Sequence, residues 1–104
     1  MAQDQQCVVL KEEIKGKYQG DCKNGLAHWK GVAIGKDTYE GKFKKGLPNG
    51  KGTYRWSTGE VYVGSFRKGK RHGEGVYTFF VNGKDSTFNA YWKNDEMAKL
   101  LLLP

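Results

Sequence analysis

The side chains able to do chemistry in this sequence are Cys7 and Cys22, His28 and His72, and a surplus of cations, 18 Lys plus Arg against 11 Asp plus Glu. Two cysteines and two distant histidines lack the ligand spacing of a zinc site. Neither histidine has a Ser or Cys partner at the spacing of a nucleophile and its base. Gly50-Lys51-Gly52 and Gly73-Glu74-Gly75 mimic the opening of a dinucleotide-binding loop, but no helical pattern follows them. The carboxylates are scattered. These features argue against an enzyme, a metal centre or a cofactor, and leave binding as the chemistry on offer. The candidates are Lys44, Lys45, Lys51, Arg67, Lys68, Lys70 and Arg71 for an anion or lipid headgroup, and Trp29 as an anchor for a partner.

What must position these groups is a repeat. Displacing the sequence on itself by 23 residues lays Tyr39-Glu40-Gly41-Lys42-Phe43-Lys44-Lys45-Gly46 on Tyr62-Val63-Gly64-Ser65-Phe66-Arg67-Lys68-Gly69, and Gly50-Lys51-Gly52 on Gly73-Glu74-Gly75. A shorter copy starts at Tyr18 with Gly20, Cys22, Gly25 and Gly31, and a partial one at Phe88 with Ala90 and Trp92. Self-similarity at such a period marks a repeat architecture. The expected organisation is an N-terminal segment 1–17 with an edge strand, repeats at 18–38, 39–61, 62–87 and in part 88–92, and a C-terminal cap or tail over 93–104. A chain of 104 residues has room for one modest core and none for a two-lobed enzyme.

Each repeat reads as two strands. Tyr39, Gly41 and Phe43, and again Gly52, Tyr54 and Trp56, alternate with period two and so share one face of a strand. Residues 44–50 are rich in turn formers, 57–60 make the next reversal, and no helical periodicity is present before Asn94. The fold class is therefore all-β, a single-layer antiparallel meander of about seven or eight strands. With wide tips the register pairs Phe43 with Gly52, Gly41 with Tyr54 and Tyr39 with Trp56. Large rings then have Gly or Ala as cross-strand neighbours and lie flat over them. The expected repeat core is Tyr18, Tyr39, Phe43, Tyr54, Trp56, Tyr62, Phe66, Tyr77, Phe79 and Trp92. Glycine weakens a strand interior on its own; here it makes the space that the rings fill.

The pattern Tyr-x-Gly-x-Phe-x-x-Gly-x-x-x-Gly-x-Gly-x-Tyr, met from Tyr39 to Gly59 and from Tyr62 to Gly83, resembles the MORN repeat (membrane occupation and recognition nexus). Residues 18–35 depart from it, with Cys22 where Phe43 and Phe66 stand and Trp29 where Gly50 and Gly73 stand. The resemblance implies stacked β-hairpins in an elongated, twisted, trough-like sheet. It also implies a role in protein assembly or anionic-lipid binding, and no catalytic residues within the repeats.

Charge is distributed unevenly over such hairpins. The long tips, 23–30, 44–51, 67–74 and 93–96, sum to +7, the whole net charge, while the opposite turns sum to zero. One rim is thus a cationic strip that attracts anions over about a Debye length, ~8 Å at physiological salt. An anionic membrane surface fits it, at about 1 kcal/mol per well-placed cation. Charged tips also keep a ring-rich sheet soluble and guard its edges. Single-stranded nucleic acid needs rings exposed for stacking, and here the rings pack on each other, which argues against that partner. On the other face Val61, Val63, Val76 and Phe80 are apolar enough for a protein contact. Trp29 either folds back on the sheet or stands out as an anchor. Residues 97–104 either cap the last strand or form a self-association surface. The expected function is a non-enzymatic binding or assembly module with a protein partner or a second copy of itself; the alternative is an anionic-phospholipid adaptor.

If Cys7–Leu10 doubles back against Lys17–Cys22 as an edge strand, the two sulfurs fall opposite each other and join. Two reduced thiols in a cytosolic chain are the alternative. A Cys7–Cys22 bridge fits an exported protein, periplasmic or secreted, against a cytoplasmic or membrane-peripheral one. No run approaches the ~18 apolar residues of a membrane-spanning helix. No secretory apolar stretch is present, and Met1-Ala2-Gln3-Asp4-Gln5 would suit a start codon ahead of a mature exported chain.

Overall fold

The computed structural model of the chain describes residues 7–101, so the start of the chain and Leu102–Pro104 lie outside the account that follows. Eight strands, each antiparallel to the next, form one open sheet in chain order: β1 Lys17–Lys23, β2 Leu26–Ile34, β3 Thr38–Lys44, β4 Leu47–Arg55, β5 Val61–Arg67, β6 Lys70–Val81, β7 Lys84–Lys93 and β8 Glu96–Leu101. A 3-10 turn at Glu12–Ile14 precedes them. The all-β single-layer meander is as expected, and at 50 × 26 × 20 Å it is elongated. Its eighth strand comes from the segment expected to be a cap or tail, which pairs along β7 instead.

The hairpin tips differ from expectation. Lys44 pairs with Leu47, which leaves Lys45-Gly46 as a two-residue turn with φ of 52° and 85°. Both values are left-handed, as a type I′ turn requires, and that turn matches the twist of the strands it joins. Asn24-Gly25 and Lys68-Gly69 repeat the geometry. The residues assigned to a wide loop are instead absorbed by an irregularity between Gly41 and Phe43. The register is therefore displaced by two: Gly41 pairs with Gly52 and Tyr39 with Tyr54. A shift of two leaves every side chain on its expected face and changes only its neighbours.

Glycine consequently meets glycine. Gly20, Gly31, Gly41, Gly52, Gly64 and Gly75 form one row across β1 to β6, ended by Ala90 on β7. Beside it runs Tyr18, Ala33, Tyr39, Tyr54, Tyr62, Tyr77 and Phe88. The rings fill the space over glycine diagonally rather than straight across. Tyr39 lies over Gly52, where an added Cβ would collide with its ring and hydroxyl, and Tyr62 over Gly75 and Tyr18 over Gly31 do the same. The Tyr39 hydroxyl donates to the Lys42 carbonyl at 2.7 Å and the Tyr62 hydroxyl to that of Ser65 at 2.9 Å. Phe43 and Phe66 meet these tyrosines edge-to-face at 5.0 and 5.1 Å. Tyr39, Phe43, Tyr54, Tyr62, Phe66 and Trp92 are buried, with Tyr18, Trp56 and Tyr77 half-buried against them. Phe79 is half-buried and stacks on Tyr77.

The N-terminal segment also departs from expectation. Cys7–Leu10 adds no edge strand beside β1. The Val8 N–H donates to the Gly25 carbonyl and the Leu10 N–H to that of Gly46, both at 2.8 Å, so the segment steps from the first tip to the second. It then crosses the ring face to the opposite edge, where the Glu13 carbonyl accepts from the Asp37 N–H at 2.9 Å. Val9 and Ile14 are 6% and 0% exposed among the rings. A lone sheet has no second layer against which to bury its apolar face, and this strap supplies one. Cys7 and Cys22 are joined, with Cα atoms 5.5 Å apart, tying the strap to β1.

Candidate functional site

Three surfaces are candidates: the ring face under the strap, the edge of hairpin tips, and the back of the sheet. On the ring face a hollow of about 350 Å³ is lined by Lys11, Asp37, Tyr54, Trp56, Arg71 and Asp95 among others. Asp37 is 4% exposed and accepts from the Tyr54 hydroxyl at 2.7 Å and the Ser57 N–H at 2.9 Å. Burial, and then the Asp37 carboxylate beside it, push the Tyr54 phenol well above its ordinary pKa of 10.0. Burial likewise pushes Tyr62 up to about 12, with the Arg71 charge pulling the other way. The Arg71 guanidinium sits 4.4 Å from the Trp92 ring centre and 5.3 Å from that of Trp56. Its Nε donates to Asp95 Oδ1 at 3.0 Å and an Nη to the Asp95 carbonyl at 2.9 Å. The polar groups here serve one another, joining the third tip to the last turn. Arg71 therefore lies on the ring face, away from the cationic strip in which the sequence placed it.

The tip edge gathers five of the expected cations. Lys44, Lys45, Arg67 and Lys68 line one hollow with Asn49 and His72, and Lys70 pairs with Arg67 across the same turn. The tips stack by a repeated device. The N–H groups of Lys45, Lys68 and Asn94 donate to His28 Nδ1, Asn49 Oδ1 and His72 Nδ1 at 3.2, 3.0 and 3.5 Å. The next N–H in each turn, at Gly46, Gly69 and Asp95, donates to the carbonyl of Ala27, Pro48 or Arg71. Both histidines are thereby accounted for as caps of neighbouring turns.

The back face carries the residues that alternate with the glycine row. Because a Cβ at Gly31, Gly52 or Gly75 would point into tyrosine rings, the residues alternating with them point the other way. Lys51 is one of these: it lies with Lys30 and Lys42 on the back of the sheet rather than with the tip cations, and the three line one groove. A second groove, sharing Glu40, Gly41 and Lys51 with the first, is lined by Thr53, Val63 and Val76. Trp29 is 53% exposed, meets His28 edge-on at 4.6 Å, and lines a hollow with Lys30, Lys42 and Lys44. Among the described residues no three His, Cys, Asp or Glu side chains are grouped to hold a metal ion.

Asp37 and the pairing of Lys30 with Lys42 were not singled out from the sequence. Asp37 has no local signal, since its partners are 17 and 20 residues away. The lysines do have one: each immediately precedes or follows a glycine of the row.

An open sheet built by repeating one hairpin, with its rings turned inward and long bare surfaces outward, defines a repeat protein of the extended-platform class. The family model of the MORN repeat matches residues 39–61 and 62–84. These two matches are consistent with a chain of MORN repeats, a repeat module often linked to binding or membrane association. Comparison with curated proteins finds no significant match.

Proposed function

We propose that the chain is a non-enzymatic assembly module that binds a protein partner on the back of its sheet. The observation that carries this is the asymmetry of the two faces. The strap covers the rings of the first repeats, whereas Ile34, Val63, Phe80 and Tyr91 are exposed along the back; on the ring side the exposed apolar residues, Val81, Met97 and Leu100, are confined to the C-terminal end of the sheet. Exposed apolar residues gathered on one face mark a contact surface. The joined Cys7 and Cys22 support an oxidising, exported location for that contact. The test is affinity capture from the source cell's fractions with the wild-type chain, Val63→Asp and Tyr91→Asp. A partner retained at high salt by the wild type and released by the back-face variants supports the reading; a partner released equally by salt and untouched by these substitutions refutes it.

A second reading is favoured by the stacked tips, which hold Lys44, Lys45, Arg67, Lys68 and Lys70 along one edge with exposed Trp29 nearby. That arrangement suits an anionic membrane surface, with cations on headgroups and an amphipathic ring at the interface. Sedimentation with anionic vesicles should then fall steeply with salt, and Lys45→Glu with Lys68→Glu should abolish it. Vesicle binding that survives this double reversal eliminates the adaptor.

A further inference from the structure

We propose that the groove over the glycine row is the docking site of an extended acidic peptide segment of the partner, with carboxylates on Lys30, Lys42 and Lys51 and apolar side chains on Val63 and Val76. This rests on the back-face reading above and names the chemistry of the partner. The floor is bare backbone from Gly20 to Gly75. The groove measures about 490 Å³ at its lysine end and about 870 Å³ at its valine end, and the two parts share Glu40, Gly41 and Lys51.

Two independent features mark the lysine end. Lys30 pairs directly with Lys42 across β2 and β3, and like charges opposite each other destabilise a sheet. Among the described residues the ion pairs are Lys11 with Glu13, Lys15 with Glu12 and Arg71 with Asp95, so none of the three groove lysines is neutralised by one. Beside them, Trp29 holds a left-handed φ of 62°, where the next repeats have Gly50 and Gly73 at 98° and 95°. A non-glycine residue is disfavoured there, and the ring, 53% exposed, gains little burial in return. The repulsion between the lysines is relieved by an anionic ligand, and the exposed Trp29 ring beside them offers it an apolar contact.

The shape and polarity of the groove select a peptide over a lone headgroup or phosphate. From Lys30 on β2 to Val76 on β6 are four strand spacings, about 19 Å, the reach of about six extended residues. Of the groove's two acids, Glu40 lies where its parts meet, against three lysines, and Glu74 at the valine end already accepts from Asn89 Nδ2 at 3.0 Å. A headgroup would use only the lysines. A short chain with acids at one end and aliphatic residues at the other uses the whole length.

The test is fluorescence anisotropy of a labelled peptide, Asp-Glu-Asp-Leu-Val-Leu, against the same peptide with lysine at each acidic position. The expected result is that the acidic peptide binds at least tenfold more tightly. Lys30→Glu with Lys42→Glu should weaken it about tenfold, as reversal of exposed pairs worth up to about 1 kcal/mol each implies, while the circular dichroism stays that of the wild type. The tip pair Lys45→Glu with Lys68→Glu should leave it unchanged. Equal binding of both peptides, equal loss in the tip variant, or full displacement by millimolar inorganic phosphate would overturn the proposal. If no peptide binds yet Val63→Asp still releases the captured partner, the acidic chemistry falls and the back-face reading stands; if both fail, both are wrong.

Discussion

Replacing Gly52 with alanine tests the central packing device of the fold. No positive φ constrains this residue, so alanine suits its backbone; the obstacle is the Tyr39 ring and hydroxyl that occupy the place of the new Cβ. Tyr39 is fully buried, and its hydroxyl donates to Lys42 at 2.7 Å, so it has nowhere to retreat without breaking that bond. Forcing an extra carbon into a filled core costs about 1–3 kcal/mol, and the lost hydrogen bond adds about 1 kcal/mol. The sum, about 2–4 kcal/mol, is a large part of the ~5–15 kcal/mol that holds a small domain folded. Urea unfolding followed by tryptophan fluorescence reads it directly, since Trp56 and Trp92 lie in the ring cluster. Gly31→Ala should cost less, about 1 kcal/mol, because Tyr18 is only half-buried at the end of the sheet and its ring can swing outward. In a Tyr39→Leu background the collision disappears and Gly52→Ala should cost almost nothing. A Gly52→Ala midpoint indistinguishable from wild type, or an equal cost in both backgrounds, would refute the argument that glycine seats the rings.

Alkali and reduction probe the same core from other sides. Burial raises the phenol pKa values of Tyr39, Tyr54 and Tyr62 above 10.0, with Tyr62 at about 12. Because the folded values are raised, this stabilisation is complete below pH 10 and is lost as pH climbs toward 12, by about 1.4 kcal/mol per pH unit for each phenol that ionises only when unfolded. Tyrosinate absorbance and circular dichroism should therefore change together in one alkaline transition; full ionisation of all tyrosines with the dichroism intact contradicts their burial. Cleaving the Cys7–Cys22 bond, which spans a sequence separation of 15, should lower stability by about 3 kcal/mol through chain entropy. It should also raise binding of a hydrophobic dye as Val9 and Ile14 leave the rings. A urea midpoint that ignores reductant would show that the tie between strap and β1 contributes nothing.

The amino-acid sequence by itself determined the meander, the repeat and the two faces. Those are local properties: the alternation of Tyr39, Gly41 and Phe43 assigns faces whatever the partner strand, and the 23-residue displacement copies that assignment along the chain. Even the complementarity of ring and glycine was legible, because it depends on composition at fixed spacing. Register was not, since Lys45-Gly46 as a tight left-handed turn and 44–50 as a wide loop differ by backbone twist and a bulge, which the letters leave open. That difference of two residues aligned the glycines into one row beneath the tyrosine rings. Charge summed over the tips likewise overlooked the pleat: Lys51, Lys70 and Arg71 are close in the repeat, yet they end on the back face, the edge and the ring face. The path of 7–14 was decided only in three dimensions, because an uncovered apolar face takes whatever segment can reach it, and that reach is a property of the assembled sheet.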